Sequence, residues 1–422
     1  MQINCAKIDG DVRLSDHIRN EHEMVRVVNL QPGQIFTVDV TLDGGYTNPP
    51  IAPNKEPWTG KAGRQGVHTA LLTFANGDGF TLRFADGVEV TNSQGRGVVF
   101  ADCHNYHAHD VWVRGARTAG ISHHDCTGFQ AHNLTTIDTG NYQDNKNEGP
   151  NWPGSIKFEG CDNYKMFRPI SIDHLGNGIT ATETSNGQWS QGIAIDVRGA
   201  NYYVNAAPYH KVYDSLSVGE QAAYVVNSEE ENDGTDTRPE VSEGIDFNAC
   251  YSLDSRVGLG FWGNERKQGL VIDKACANDC VFIYTEDGLK IHPNATINSL
   301  DTGDTLTFKP SEVDAALLAA MRAQSAALKA AILRHAANEE IDTEARKLRE
   351  LFARLRPVVV VPLYPLGQRL YVVGDVVDVD KANRVFAGGS VAGLQLQAVE
   401  VIDPTKALAD RVRAALVAET AK

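Results

Sequence analysis

The chain has 422 residues, 54 acidic against 39 basic, for a formal net charge of −15. Apolar residues make up 42% and charged ones 22%, the balance of a globular protein whose length calls for two or three structural units. With no Lys/Arg block to carry phosphate contacts, the acidic balance excludes broad binding to nucleic acid or to an anionic membrane.

The first residues, MQINCAKIDGDVRLSDHIRN, mix charges of both signs and lack the apolar core of a secretory signal. No run of about 18 uncharged apolar residues occurs, so no membrane insertion is expected. Residues 1–70 hold a strand-like run, Ile35–Val40, and a Gly/Pro-rich stretch, DGGYTNPPIAPNKEPWTGKAG, and read as an N-terminal cap with an extended loop. Seven cysteines, an odd number, fit a reducing cytosol better than a disulfide framework. Cys276 and Cys280 read as free thiols, because no second CxxC and no His pair at zinc spacing accompanies them.

Between 71 and 300 the chain repeats. Short apolar-x-apolar triplets end at Val90, Val113, Ile137, Ile172, Ile195, Val218, Ile245, Ile272 and Ile291, with separations of 23, 24, 35, 23, 23, 27, 27 and 19 residues. A second column, Val98, Ile121, Ile156 and Ile179, is spaced 23, 35 and 23, and glycines precede three of its members. Cys103, Cys126 and Cys161 repeat the 23 and 35. The shared jump to 35 marks one coil plus about twelve inserted residues, placed in the loop-like GNYQDNKNEGPNWPG (140–154). A second interruption, NSEEENDGTDTRPEV (227–241), is strongly acidic. Strand periodicity at this repeat length, with almost no helical signal, describes a parallel β-helix. On its rung period and ladder composition the segment resembles the right-handed single-chain β-helix superfamily of pectate lyases, polygalacturonases and phage tailspikes.

Beyond Pro310 the character switches. SEVDAALLAAMRAQSAALKAAILRHAANEE and EARKLRELFARL predict helix over 311–356, with Ser311 as N-cap. Leu317, Met321, Gln324, Leu328, Ala331 and His335 follow heptad spacing, which fits a helical hairpin or a coiled coil. Residues 357–422 read as a small α+β domain: period-2 runs after Pro357, where VVVV (358–361) is a strand, then a helix over Thr405–Thr420. The expected fold class is therefore mainly β, a right-handed parallel β-helix with a C-terminal helical segment and a small β-containing domain.

Three groups of residues could carry chemistry. In the His-rich run, CHNYHAHD (103–110) and SHHDC (122–126), rung alignment points His123 into the coil as a core imidazole needing one hydrogen-bond partner. The same alignment puts His124 outside, forming a candidate binding patch with Lys157 and Glu159. Spacing leaves His104, His107 and His109 unoriented, and no metal site is assigned. The second group is a carboxylate column directly after the triplets: Asp138, Asp173, Asp196, Asp246 and Asp273, with Arg114 before and His292 after. Stacked carboxylates repel, so either turn capping or a cation must hold them; Asp138 and Asp196 are candidate binding residues, and turn capping is the preferred reading. The third is FRPISIDH (167–174), which resembles two pectate-lyase features. That resemblance implies Arg168 as a base, Asp173 and His174 beside it, and Ca²⁺ as a cofactor.

Two functional readings follow. The first is a phage virion structural protein, a capsid decoration or spike-like β-helix. It would be assembled in the host cytoplasm as a homotrimer, meet other virion proteins through 311–422, touch a surface glycan, and need no cofactor. The alternative is a carbohydrate-active enzyme (lyase, hydrolase or epimerase) acting on an acidic polysaccharide.

Overall fold

In a computed structural model the described residues are 1–45, 70–140, 154–228, 241–263, 271–272, 274–293, 295–303 and 305–355, together with the backbone of 357–360 and 370–373. Contacts divide the chain into two units: Met1–Lys309 with Lys329–Ile341, and Pro310–Leu328 with Asp342–Lys422. The first unit is a right-handed parallel β-helix. Each turn of the coil carries a long strand such as Arg96–Ala101, then His107–His109, then Trp112–Arg114. Every strand pairs in parallel with its equivalents one turn before and after. The His107–His109 position recurs in an eleven-stranded sheet.

What bends the chain is a set of left-handed residues at the corners. In one turn these are Asp125, Gly128, Asn133 and Asp138, with φ between 50° and 66°; in the next but one they are Glu183, Asn186, Gln191 and Asp196. Asn, Asp and Gly tolerate this backbone region best, which is why they dominate the turns. Each corner amide also stays in the ladder: Asp138 N donates to Ile172 O and Asp173 N to Ile195 O, at 3.0 and 3.1 Å. A corner therefore costs no backbone hydrogen bond.

The coil starts earlier than the sequence reading places it. Gln2–Asn4 pairs with Val25–Val28, which pairs with Ala70–Ala75 in the register Val25↔Leu72. Residues 1–45 are thus early turns of the same helix rather than a cap, hidden from a period search because the step from Val25 to Leu72 is 47 residues instead of 23. Most of the DGGYTNPPIAPNKEPWTGKAG loop, and Asn141–Pro153 of the first insertion, lie outside the described residues, as does most of the second interruption.

The lumen is filled by rows of like residues. Val98, Ile121, Ile156 and Ile179 pair in register as the spacing predicts. Beside them the rings of Phe74, Phe100, His123 and Phe158 stack at 5.3, 4.6 and 4.8 Å. A second ladder runs Phe80, Tyr106, Phe129, Tyr164 at 5.1, 4.9 and 5.2 Å. His123 is wholly buried, and its Nδ1 meets the Tyr106 hydroxyl at 2.5 Å. Cys103, Cys126 and Cys161 lie buried just past a corner, each thiol on the carbonyl two residues back. All seven cysteines are unpaired, Cys280 buried and Cys276 half-buried. At Gly120 the facing strand leaves no room: a Cβ would lie 2.4 Å from Thr136 Cγ2.

One column differs from the sequence alignment by a residue. Arg114, not Val113, pairs with Ile137, so Val90 and Val113 belong with Thr136 and Ser171. After Val218 the triplet EGI is not the next member; Tyr251–Leu253 is. Val113 and Ala194, the middle residues, join the lumen core. The flanking Trp112, Ile170, Ile172, Ile193 and Ile195 are equally buried but stand outside that core cluster. Strand alternation puts them on the outer face.

Past Lys309 a 3₁₀ turn, Pro310–Glu312, precedes a helix, Ala315–Leu333, and Asn338–Ala353 is helical as well; the ends Lys329–Leu333 and Asn338–Ile341 belong to the first unit and the rest to the second. Ser311 lies in the 3₁₀ turn; Asp314 is the cap instead, its Oδ1 accepting from Leu317 N at 2.9 Å. Gln324 reaches Glu344 O and Oε2, at 3.1 and 2.6 Å. The first helix is long and apolar enough to cross a membrane by length and composition alone, a test that the core helix of a soluble protein passes as well. Pro357–Val360 pairs antiparallel with Leu370–Val373. The helix expected at Thr405–Thr420 lies outside the described residues.

Burial of His123 and His210 makes the fold acid-sensitive. Desolvation holds His123 well below the usual histidine range and brings His210 down to about 3. An imidazole depressed in the folded state binds its proton preferentially when unfolded, so stability is complete above about pH 6.5 and falls as pH drops toward the folded value. Each site contributes a slope of about 1.4 kcal/mol per pH unit in that window. The melting temperature is expected to fall between pH 6.5 and 4.5, and His210→Phe to flatten the decline; an unchanged slope in that variant would refute the assignment.

Candidate functional site

The acidic corner and the outer apolar face meet one segment, Lys329–Ile341. Asp173 and Asp196 occupy equivalent corners in adjacent turns, with φ of 53° and 55°. At the parallel spacing of about 4.8 Å their carboxylates would repel. Lys329 Nζ lies between them, 2.5 Å from Asp173 Oδ1 and 2.6 Å from Asp196 Oδ2. Partial burial would lower the lysine pKa, but hydrogen bonds and charge from both aspartates outweigh it and the net shift is upward.

Five further contacts fix this segment. The His335 ring stacks on Trp112 with centroids 3.7 Å apart, and its Nδ1 is 2.9 Å from Glu89 Oε1. Arg114 binds Glu89 through Nε and Nη2, at 3.1 and 3.2 Å, and also donates to Leu333 O at 3.2 Å. Burial would raise the Glu89 carboxyl, yet the hydrogen bonds and charges of His335 and Arg114 bring it down to about 2. At the opposite corner Arg168 donates to Asn133 Oδ1 (2.9 Å) and to Asn338 O (3.0 Å), while Asn338 Nδ2 donates to Asp110 Oδ1 at 2.9 Å. His335 itself has φ of 57° and ends the first helix, with Ala336 N returning to Ala331 O.

These contacts redistribute the residues singled out from sequence. Arg168 is 3% exposed and donates to Asn133 and Asn338, so its guanidinium is not presented as a base. His174 is fully buried, its Nδ1 2.8 Å from Thr139 Oγ1. Asp173 turns outward to Lys329. The lyase-like trio therefore does not converge, because neighbours at a corner alternate between lumen and surface. Asp138 stands at the corner before Asp173 in the column and is exposed. Asp246 leaves the column altogether: it pairs with Lys211 in the eleven-stranded sheet, and Asp254 fills the corner instead. Asp273 lies outside the described residues. The Ca²⁺ implied by the lyase resemblance needs six to eight oxygen ligands. Asp173 and Asp196 already share an ammonium, so the residues present do not fit that ion. Among the described residues no group of three or more His, Cys, Asp or Glu is arranged to hold a metal.

The patch of His124, Lys157 and Glu159 does assemble. Its members are paired by register, Ser122↔Lys157 and His124↔Glu159. Glu159 Oε2 is 3.1 Å from His124 Nδ1 and 2.9 Å from Lys157 Nζ, and Arg96 meets the other ring nitrogen. The His124 hydrogen bond, with Lys157, holds the Glu159 carboxyl far below its ordinary range against the pull of burial. Its charges are mutually satisfied, as in a surface network that locks neighbouring turns. Of the other histidines, His104 reaches Thr127 Oγ1 at 3.0 Å, while the His109 and His132 rings stack at 5.1 Å.

Lys329, Asn338, Trp112 and Glu89 escaped the sequence reading. The one local signal was His335, a polar residue in a heptad seam.

Replacing Lys329 with Met removes the shared cation from two half-exposed carboxylates. We expect a loss of about 1–2 kcal/mol in urea unfolding, at the upper end for surface pairs because one lysine serves two acids. Asp196→Asn in the same chain should recover part of it; additive losses would show that the groups do not interact.

No family model matches the sequence, and no curated protein matches it. Among solved structures, the chain is similar to a hyperthermoactive exopolygalacturonase from Thermotoga maritima, with 10% identity, 65% of this chain and 72% of that one covered, and a TM-score of 0.35. It is also similar to PfbA, a surface adhesin of Streptococcus pneumoniae (10% identity, 71% and 80% covered, TM-score 0.34). A third is ORF18 of Geobacillus virus E2 (9% identity, 73% and 52% covered, TM-score 0.27).

Proposed function

We propose that this chain is a non-catalytic β-helical structural protein, a virion component of the capsid-decoration or spike type, that presents its outer faces to a surface glycan. The observation that carries this reading is the use of the acidic corner by the chain itself. The carboxylates an enzyme would aim at substrate, Asp173 and Asp196, are clamped by Lys329. The implied base Arg168 is buried under Asn338, and the implied histidine is buried against Thr139. Glycoside hydrolysis needs two carboxyls flanking an accessible bond, and lyase chemistry needs a base within reach of the substrate proton. Neither arrangement is offered at this face. A coil whose outer apolar strip is met by its own helical segment is instead built for rigidity, with every turn braced by its neighbours.

Two measurements test the reading. Incubation with polygalacturonate and alginate, followed by ultraviolet absorbance of unsaturated ends and by reducing sugar, is expected to show no turnover. Turnover abolished by Asp173→Ala or Arg168→Ala would establish the enzyme reading in its place. Light scattering on the eluted chain is expected to give a homotrimer of about three times the 45.9 kDa protomer; a monomer at micromolar concentration would count against assembly as a virion component.

A further inference from the structure

We infer that the outer face of the eleven-stranded sheet, between Thr81–Phe84 and Lys211–Tyr213, is the glycan-contacting surface, and that it fits an anionic polysaccharide lying along the helix axis. This rests on the scaffold reading above and names the place and chemistry of its ligand.

Six consecutive strands in register form this face. Their middle residues, such as Ala108, Met166 and Trp189, belong to the lumen core, so the flanking pair of each strand points out. One outward row runs His109, His132, Phe167, Ser190, Tyr213. The His109 and His132 rings stack at 5.1 Å, and His132 continues to Phe167 at 5.8 Å. Phe167 is 36% exposed, unusual for a phenylalanine inside a strand. The parallel row alternates Lys165 and Lys211 with Gln130 and Gln188, and Arg83 begins the ring row. Across six strands the strip extends about 24 Å, from five spacings of roughly 4.8 Å.

The charge of this strip opposes that of the chain. None of its twelve outward positions is acidic, while the whole sequence carries −15. Among the carboxylates at its margins, Asp110 accepts from Asn133 and Asn338, Asp162 from Asn186, and Asp246 from the Tyr213 hydroxyl at 3.1 Å; Asp214 stands at the corner equivalent to that of Asp110. Burial is the leading cause that keeps His109 and His132 below the ordinary histidine range, so at neutral pH their rings are uncharged faces. Flat rings that accept the C–H face of a sugar, amides that pair with hydroxyls, and a few fixed cations for carboxylates match an anionic glycan. Amides and a hydroxyl beside the rings suit a hydroxyl-rich chain, whereas a nucleic acid is held chiefly through its phosphates, for which the strip offers Arg83, Lys165 and Lys211 alone.

The test is titration calorimetry of the full chain with polygalacturonate, with dextran as the neutral control and a single-stranded oligonucleotide as a second polyanion. Polygalacturonate is expected to bind, more weakly at higher salt, and dextran not to. Lys165→Glu with Lys211→Glu should weaken binding about tenfold or more, and Phe167→Ala about fivefold, each without change in melting temperature because these side chains point outward. Binding no better than dextran's, or unaffected by either variant, would overturn the assignment; so would an oligonucleotide that binds as tightly and responds to the same variants. Cleavage of the bound polysaccharide would sink the non-catalytic reading while leaving this surface in place.

Discussion

Register is the constraint on which this molecule depends. Successive turns pass their backbone hydrogen bonds on in parallel, so strand residues stack on their equivalents with little freedom to slide, the register shifting between Leu253 and Val257. The corners enforce this, because a left-handed Asp, Asn or Gly both bends the chain and keeps its amide in the ladder. Once register is set, chemistry is repeated along the axis: ring on ring, thiol above thiol, carboxylate beside carboxylate. The first two repetitions are favourable. The third is not, and needs a counter-charge.

That need explains why Lys329–Ile341 sits where it does. Stacking places Asp173 and Asp196 side by side at one rim of an outer face that is apolar, lined by Trp112 and isoleucines. An exposed strip of that kind would be an association hazard. The segment brings Ile332 and Ala331, both buried, with a lysine for the acidic rim, His335 for Trp112 and Glu89, and Asn338 for Arg168 and Asp110. Apolar burial supplies the drive, and the polar pairs specify the position. The same arrangement engages the best candidates for catalysis, Asp173 and Asp196 with Lys329 and Arg168 with Asn338.

The faces of the coil thus divide their roles. The Trp112–Arg114 face is closed by the chain itself, whereas the His107–His109 face keeps rings, amides and cations in solvent. The His124–Lys157–Glu159 network, on the third face, ties consecutive turns by charge.

Much of this was legible without coordinates. Because in-register stacking writes like residues at a fixed period, Val98, Ile121, Ile156 and Ile179 could be aligned by counting, and so could the cysteines and the orientations of His123 and His124. The triplet column slipped by one residue at Arg114 because its rows are apolar on both faces, and strand alternation does not say which side is the lumen. The fate of the acidic corner could not be read at all. Lys329 meets aspartates 156 and 133 residues away, and a contact at that separation leaves no local pattern. Periodicity determined the coil, its spacing and its corners; only the folded chain, by bringing a distant segment across one face, decided which carboxylates are occupied and which surface stays open.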